Sequence, residues 1–216
     1  MDYATARQNM VESQIRPNKV TDPQLIDALR SLPRELFVPK AMRGIAYVDD
    51  DIAVAPDRYL MEPMVLARLL QEAAVAATDM VLDVGCCTGY STAVLARLAN
   101  AVVGLEADPA LAAQASDRLS ELDIDNAMIV EGALEAGYPR QAPYDLILLG
   151  GRAERIPSEI IGQLAEGGRL VGVIGDSGMG RACVLTKRGG TTTRREVFDA
   201  AVRPLPGFER RKGFVF

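Results

Sequence analysis

The chain has 216 residues, 49% of them apolar and 25% charged, enough for one well-cored domain and too apolar for a disordered chain. Its formal net charge of −5 argues against a nucleic-acid backbone binder, the short Arg210-Arg211-Lys212 cluster reading as a solvated turn. There is no histidine, which excludes His triads and His-ligated metals, and the three cysteines follow no zinc spacing and read as reduced thiols of a cytoplasmic protein.

Taken in chain order, Ala4 to Ile15 reads as helix. Thr21-Asp-Pro-Gln-Leu-Ile-Asp-Ala-Leu-Arg30 is a stronger case, with a capping Thr21 or Asp22 and Pro23 in the first turn. Arg34-Glu-Leu-Phe-Val-Pro39 interrupts this helical layer. Asp49-Asp-Asp51 and Pro56-Asp57 mark an exposed loop before a helix from Pro63 to Ala74, capped by Glu62. No signal peptide pattern opens the chain, and no apolar run reaches the roughly 18 residues of a membrane span.

From Val81 the pattern alternates strand and helix. Strands are predicted at Val81–Val84, Ala101–Leu105, Ala127–Val130, Tyr144–Leu149, Arg169–Ile174, Ala182–Lys187 and Thr192–Val197, with a short last one at Gly213–Phe216. Helices are predicted near Ser91–Leu98, Pro109–Leu122 and Pro157–Leu164. Repeated βαβ crossings imply an α/β fold: a doubly wound, mostly parallel seven-stranded sheet of Rossmann-like form, with an N-terminal helical layer and antiparallel C-terminal strands. The expected organisation is a single domain over residues 1–216, with a helical layer and substrate loop in residues 1–75 and a cofactor-binding core in residues 76–216.

The chemistry concentrates at Val81-Leu-Asp-Val-Gly-Cys-Cys-Thr-Gly-Tyr90. A short β-branched strand runs into a turn bounded by Gly85 and Gly89, and a helix follows whose first N–H groups are free for a ligand. The turn lacks the three-glycine spacing that a pyrophosphate needs. The next strand ends in Glu106, about 20 residues on, where an acid accepts the hydroxyls of an adenosine ribose. A glycine turn and a ribose acid without a pyrophosphate loop suit S-adenosylmethionine; an ordinary βαβ unit with a turn glycine and a strand-end Glu is the alternative.

Over most of its length the chain resembles the protein-L-isoaspartate O-methyltransferases. The matching pieces are Arg7-Gln-Asn-Met-Val with Gln14, Leu32-Pro-Arg-Glu-Leu-Phe-Val-Pro39, Ala46-Tyr47 with Asp49, Val81-Leu-Asp-Val-Gly with Gly89-Tyr90, and Ala142-Pro-Tyr-Asp145. Ile156-Pro157, Gln163-Leu164 and Gly167-Gly-Arg-Leu-Val171 complete the order. The resemblance implies methylation of the free carboxylate of isoaspartyl residues in protein or peptide acceptors. S-adenosylmethionine would be the cofactor and S-adenosylhomocysteine the product, with no metal, no nucleic acid and no membrane involved.

Carried over, it places Asp83, Gly85, Cys86, Cys87, Thr88 and Gly89 along the methionine part of the cofactor, Glu106 at the ribose and Ala133 and Leu134 near the adenine, with Ala107 and Gly150 as further cofactor-binding candidates and Tyr90, like Tyr59, a candidate cover of the cleft or a packed ring. The substrate loop becomes Arg58, Tyr59, Leu60, Met61 and Glu62. The chain departs from the family's pattern at several of these positions. Met61 stands where a serine faces the transferring methyl, Ala133 stands where an aspartate holds the adenine amino group, Gly150-Gly-Arg152 replaces Thr-Ala-Ala, and Cys86-Cys87 replaces small or hydroxyl residues. Arg58 and Arg152 are cations at usually neutral positions, so either is a candidate fork for the acceptor carboxylate or a solvated loop arginine. Three readings stay open: an isoaspartyl methyltransferase, a methyltransferase with another acceptor, and a non-catalytic descendant that binds the cofactor.

Overall fold

The computed structural model describes residues 2–210. Two short N-terminal helices, α1 (Tyr3–Met10) and α2 (Pro23–Ser31), are opened by Asp2 and Asp22, whose carboxylates accept N–H groups of the first turn. The predicted helix to Ile15 changes winding after Met10 into a π turn at Val11–Ile15. Arg34–Phe37 and Lys40–Ile45 form 3₁₀ turns.

The predicted loop after Asp51 is in fact a hairpin, β1 (Ile52–Ala55) and β2 (Arg58–Leu60), with Ile52 opposite Leu60 and Asp57 at φ 55 in its turn. Helix α3 (Pro63–Ala73) follows. Glu62 sits at its N-cap position, but the side chain makes no capping hydrogen bond, which corrects the expected cap.

The α/β core is built on β3 (Met80–Val84), β4 (Ala101–Glu106), β5 (Ala127–Glu131), β6 (Tyr144–Ala153), β7 (Leu164–Ser177), β8 (Met179–Arg188) and β9 (Thr191–Ala200). They form one seven-stranded sheet in the order β5-β4-β3-β6-β7-β8-β9. The pairs from β5 to β7 are parallel, whereas β7-β8 and β8-β9 are antiparallel. The helices between the parallel strands are α4 (Tyr90–Ala96), α5 (Pro109–Glu121) and α6 (Ser158–Gly162). The last is shorter than predicted because Leu164 already opens β7. The predicted strand Gly213–Phe216, with Arg211 and Lys212, lies outside the described residues.

The N-terminal layer is packed onto the sheet. Met10, Leu29 and Phe37 share one apolar cluster with Val65, Val81, Tyr90 and Val171. The chain continues past β9 as a strap along the end of β6, where Arg152 N–H donates to Arg203 O and Leu205 N–H to Arg152 O, both at 2.8 Å. Asp51 ties three parts together: its carboxylate accepts Glu62 N–H and Arg203 N–H, each at 2.8 Å. Hairpin, α3 and strap therefore meet at the carboxyl ends of the parallel strands, where open α/β sheets bind their ligands.

Candidate active site

Strand β3 delivers Asp83 to the sheet's carboxyl end and then turns. Gly85 (φ 80), Cys87 (φ 52) and Gly89 (φ 92) take left-handed conformations, a combination that winds the chain sharply from strand to helix. Gly85 N–H and Cys86 N–H both donate to Leu105 O, at 2.8 and 3.1 Å, so the turn is pinned to β4. Thr88 faces the other way, its hydroxyl donating to Phe37 O at 2.5 Å.

Asp83 is fully buried; its Oδ2 accepts the hydroxyls of Ser91 at 2.6 Å and Thr92 at 2.7 Å, while Oδ1 has no partner among the described residues. Burial pushes its carboxyl up to about 6 against the pull of those hydroxyls. Burial likewise pushes the Cys87 thiol up to about 12 and Cys86 well above the ordinary range, and both are free cysteines.

Glu106, at the end of β4, is buried and saturated with donors. Oε1 accepts Ala107 N–H at 2.9 Å, Asp108 N–H at 3.1 Å and Arg58 Nε at 3.1 Å; Oε2 accepts Cys87 N–H at 2.7 Å and Arg58 Nη2 at 2.6 Å. Arg58, which the sequence offered as an acceptor-binding fork or a solvated arginine, is not solvated: its side chain is 8% exposed and its fork is held by Glu106. Arg152 is also buried, donating to Val202 O at 3.3 Å and Gly175 O at 3.0 Å, and so fastens the strap.

Tyr59, Leu60 and Met61 line the cavity over the turn. Leu60 and Met61 are buried, whereas Tyr59 is half-buried, with Arg203 stacked 5.1 Å from its ring centroid. Glu62 is pushed up to about 7, first by burial and then by Asp49, Asp51 and Asp50. Tyr90 is fully buried and lines the inner wall of the same cavity. Leu134 is buried at the start of a 3₁₀ turn, with Ala133 exposed beside it. Gly150 crosses the turn so closely that a Cβ there would lie 2.5 Å from Gly85 O.

The turn and the strand-end acid are the right chemistry for an adenosyl ligand, and in this arrangement the space over the turn is closed. The cavity lined by Tyr59, Leu60, Met61, Gly85, Cys87 and Gly150 measures about 10 Å³, the room of a single water molecule, whereas sites for small ligands run from about 300 Å³. Arg58 from the hairpin and Leu205 from the strap both lie close above Gly85 and cover the turn. Sequence reasoning missed this closure. The hairpin is too short to show a period, and Leu205 is signalled only by Pro204 and Pro206 on either side of it.

Comparison with known proteins is consistent over nearly the whole chain. The family model for protein-L-isoaspartate(D-aspartate) O-methyltransferase matches residues 5–207. A protein-L-isoaspartate O-methyltransferase of Methanoculleus marisnigri is 35% identical over 201 residues, covering 93% of this chain and 91% of that one. A second, from an Anaeromyxobacter species, is 35% identical over 202 residues, covering 94% and 83%. Among solved structures, a protein-L-isoaspartate O-methyltransferase superposes with TM-score 0.81 at 22% identity, over 94% of this chain and 67% of that one. A Plasmodium falciparum structure described as a protein of the same kind, in complex with S-adenosyl-L-homocysteine, superposes with TM-score 0.77 at 19% identity, over 91% and 96%. At those identities the superpositions speak for the fold.

Proposed function

The chain belongs to the protein-L-isoaspartate(D-aspartate) O-methyltransferase family, and on that premise we propose that it methylates the free carboxylate of isoaspartyl residues in protein or peptide acceptors. Its cofactor is S-adenosylmethionine, which supplies an electrophilic methyl on a sulfonium. The observation that carries this reading is the family match through residues 5–207, which takes in the cofactor turn, Glu106, the hairpin and the strap together.

The acceptor chemistry suits a chain without histidine. An unperturbed carboxyl titrates at about pH 4 and is ionised at neutral pH, so no general base is required and the protein's contribution is placement and exclusion of water. In the proposed division of labour, residues 1–75 furnish the acceptor-facing layer and hairpin and residues 76–216 the cofactor core. Asp83, Gly85, Glu106 and Gly150 line the cofactor side, and Tyr59, Met61 and Glu62 the acceptor side. No helix among the described residues is long and apolar enough to cross a membrane; a cytoplasmic workplace is part of the proposal.

One observation favours a second reading, a different acceptor. Met61, buried and apolar, stands where the family places the hydroxyl that faces the reacting carboxylate. The test is transfer of a labelled methyl from S-adenosylmethionine to an isoaspartyl peptide and to the same peptide with ordinary aspartate, scored as base-labile methanol. Labelling of the isoaspartyl peptide alone is the expected result. No labelling of either peptide by a protein that binds S-adenosylhomocysteine would overturn the isoaspartyl acceptor and leave the second reading.

A further inference from the structure

Glu106 sits where a strand-end acid of this fold receives a ribose, and its two oxygens already hold five donors, two of them from Arg58. A carboxylate offers about four lone-pair directions, so none is left for a diol. The guanidinium meets it in a bidentate, charge-assisted geometry, at 3.1 and 2.6 Å. It also lies over the turn, its Nη2 3.2 Å from where a Cβ on Gly85 would be. Both partners are buried, Glu106 completely and the Arg58 side chain to 8% exposure.

We propose that Arg58 is an internal stand-in for the cofactor ribose: it occupies Glu106 from the hairpin, must leave before the nucleoside can bind, and so sets the cofactor affinity of this chain. This rests on the cofactor assignment made above. The route out is short. Arg58 is the first residue of β2, directly after the hairpin turn at Asp57, and β1 and β2 form a two-stranded sheet apart from the seven-stranded one. Hinging the hairpin away takes the guanidinium to solvent and uncovers Glu106 and the hairpin side of Gly85, at the expense of the core contacts of Ile52 and Leu60 but with the seven-stranded ladder kept intact. A ligand that requires the open arrangement binds with its intrinsic affinity scaled by the open fraction. Every substitution of Arg58 that weakens its pairing with Glu106 raises that fraction and tightens binding.

The experiment is calorimetric titration of S-adenosylhomocysteine into the full chain and into Arg58→Gln and Arg58→Lys. Lysine keeps the charge and loses the fork, which guards against a variant that fails to fold with Glu106 unpaired. The expected order of affinity is Arg58→Gln, then Arg58→Lys, then the unaltered chain, with a gain of about tenfold or more for Gln. Equal or weaker binding by both folded variants, with the unaltered chain still binding, would overturn the stand-in role and leave the cofactor assignment in place. Binding by none of the three folded proteins would overturn the cofactor assignment as well.

Discussion

The Arg34 guanidinium lies 4.7 Å from the centroid of the Tyr90 ring, and both residues are completely buried. Arg34 connects the N-terminal layer to the substrate loop, donating from Nε to Ala46 O at 2.7 Å and from Nη2 to Met61 O at 2.8 Å. Burial pulls its pKa down and the tyrosine beside it opposes that. The arginine is thus a strut under Met61, held by carbonyls and a ring face.

Removing that strut is costly, whereas trimming the ring's hydroxyl is cheap. Arg34→Ala leaves two buried carbonyls without donors and a cavity beneath the loop, a loss of about 3 kcal/mol or more. Tyr90→Phe deletes a hydroxyl with no hydrogen-bond partner among the described residues and keeps the ring under the cation, so it changes stability by about 1 kcal/mol at most. Urea unfolding of the two variants checks the contrast; equal midpoints would refute it.

Asp83 makes stability depend on pH in an unusual direction for a carboxylate. Its folded pKa, about 6, is raised above the ordinary value of 3.8, so between those values the folded state binds more protons than the unfolded one. Stability from this group is therefore full below about pH 4 and declines as pH rises through 6, by about 3 kcal/mol at most. Asp83→Asn, which keeps an acceptor for the Ser91 and Thr92 hydroxyls, should remove that slope. Subtracting the variant's urea midpoints from those of the unaltered chain between about pH 4 and 7 isolates the effect; a flat difference would count against it.

The core was legible because its signals are local. Buried β-branched runs such as Val81–Val84 and glycine-bounded turns such as Gly85–Gly89 announce themselves within about ten residues, and the acid at the end of β4 follows from its strand. The hairpin was not legible, since Arg58-Tyr-Leu60 is three residues long and follows a run of aspartates that reads as solvent-exposed. Nor was the fate of the arginines. Arg58 meets a carboxylate 48 residues away, and Arg152 meets carbonyls of β7 and the strap, 23 and 50 residues on. Pairings across such distances are decided by how layers pack, which no spacing in the chain encodes.

Gly150 is where a single methyl group should do most damage to the cofactor turn. A Cβ there would meet Gly85 O at 2.5 Å and Val84 O at 3.0 Å, and backbone atoms cannot swing aside as a side-chain tip can. Gly150→Ala should cost about 2 kcal/mol or more through strain of the kind seen on overpacking. It should also weaken S-adenosylhomocysteine binding, because β3 and β6 part where the turn begins. Thermal unfolding with and without that ligand reads both effects, and a variant with unchanged melting would show that the strands yield freely.

The thiols of the turn should be inert while the hairpin is in place. Cys86 and Cys87 are both buried, burial holds the Cys87 thiol up at about 12 and Cys86 well above its ordinary range, and Cys87 Sγ rests 3.2 Å from Tyr59 O of β2. The thiolate is the species that reacts, so at about pH 8 an aromatic disulfide reagent should find no more than traces of either in the native protein. Weakening the hairpin's hold by Arg58→Lys should speed labelling of Cys87 severalfold while leaving Cys183, buried in β8, as slow as before. That asymmetry, read by peptide mass after timed labelling, separates movement of the hairpin from general loosening of the fold, which would accelerate all three thiols alike.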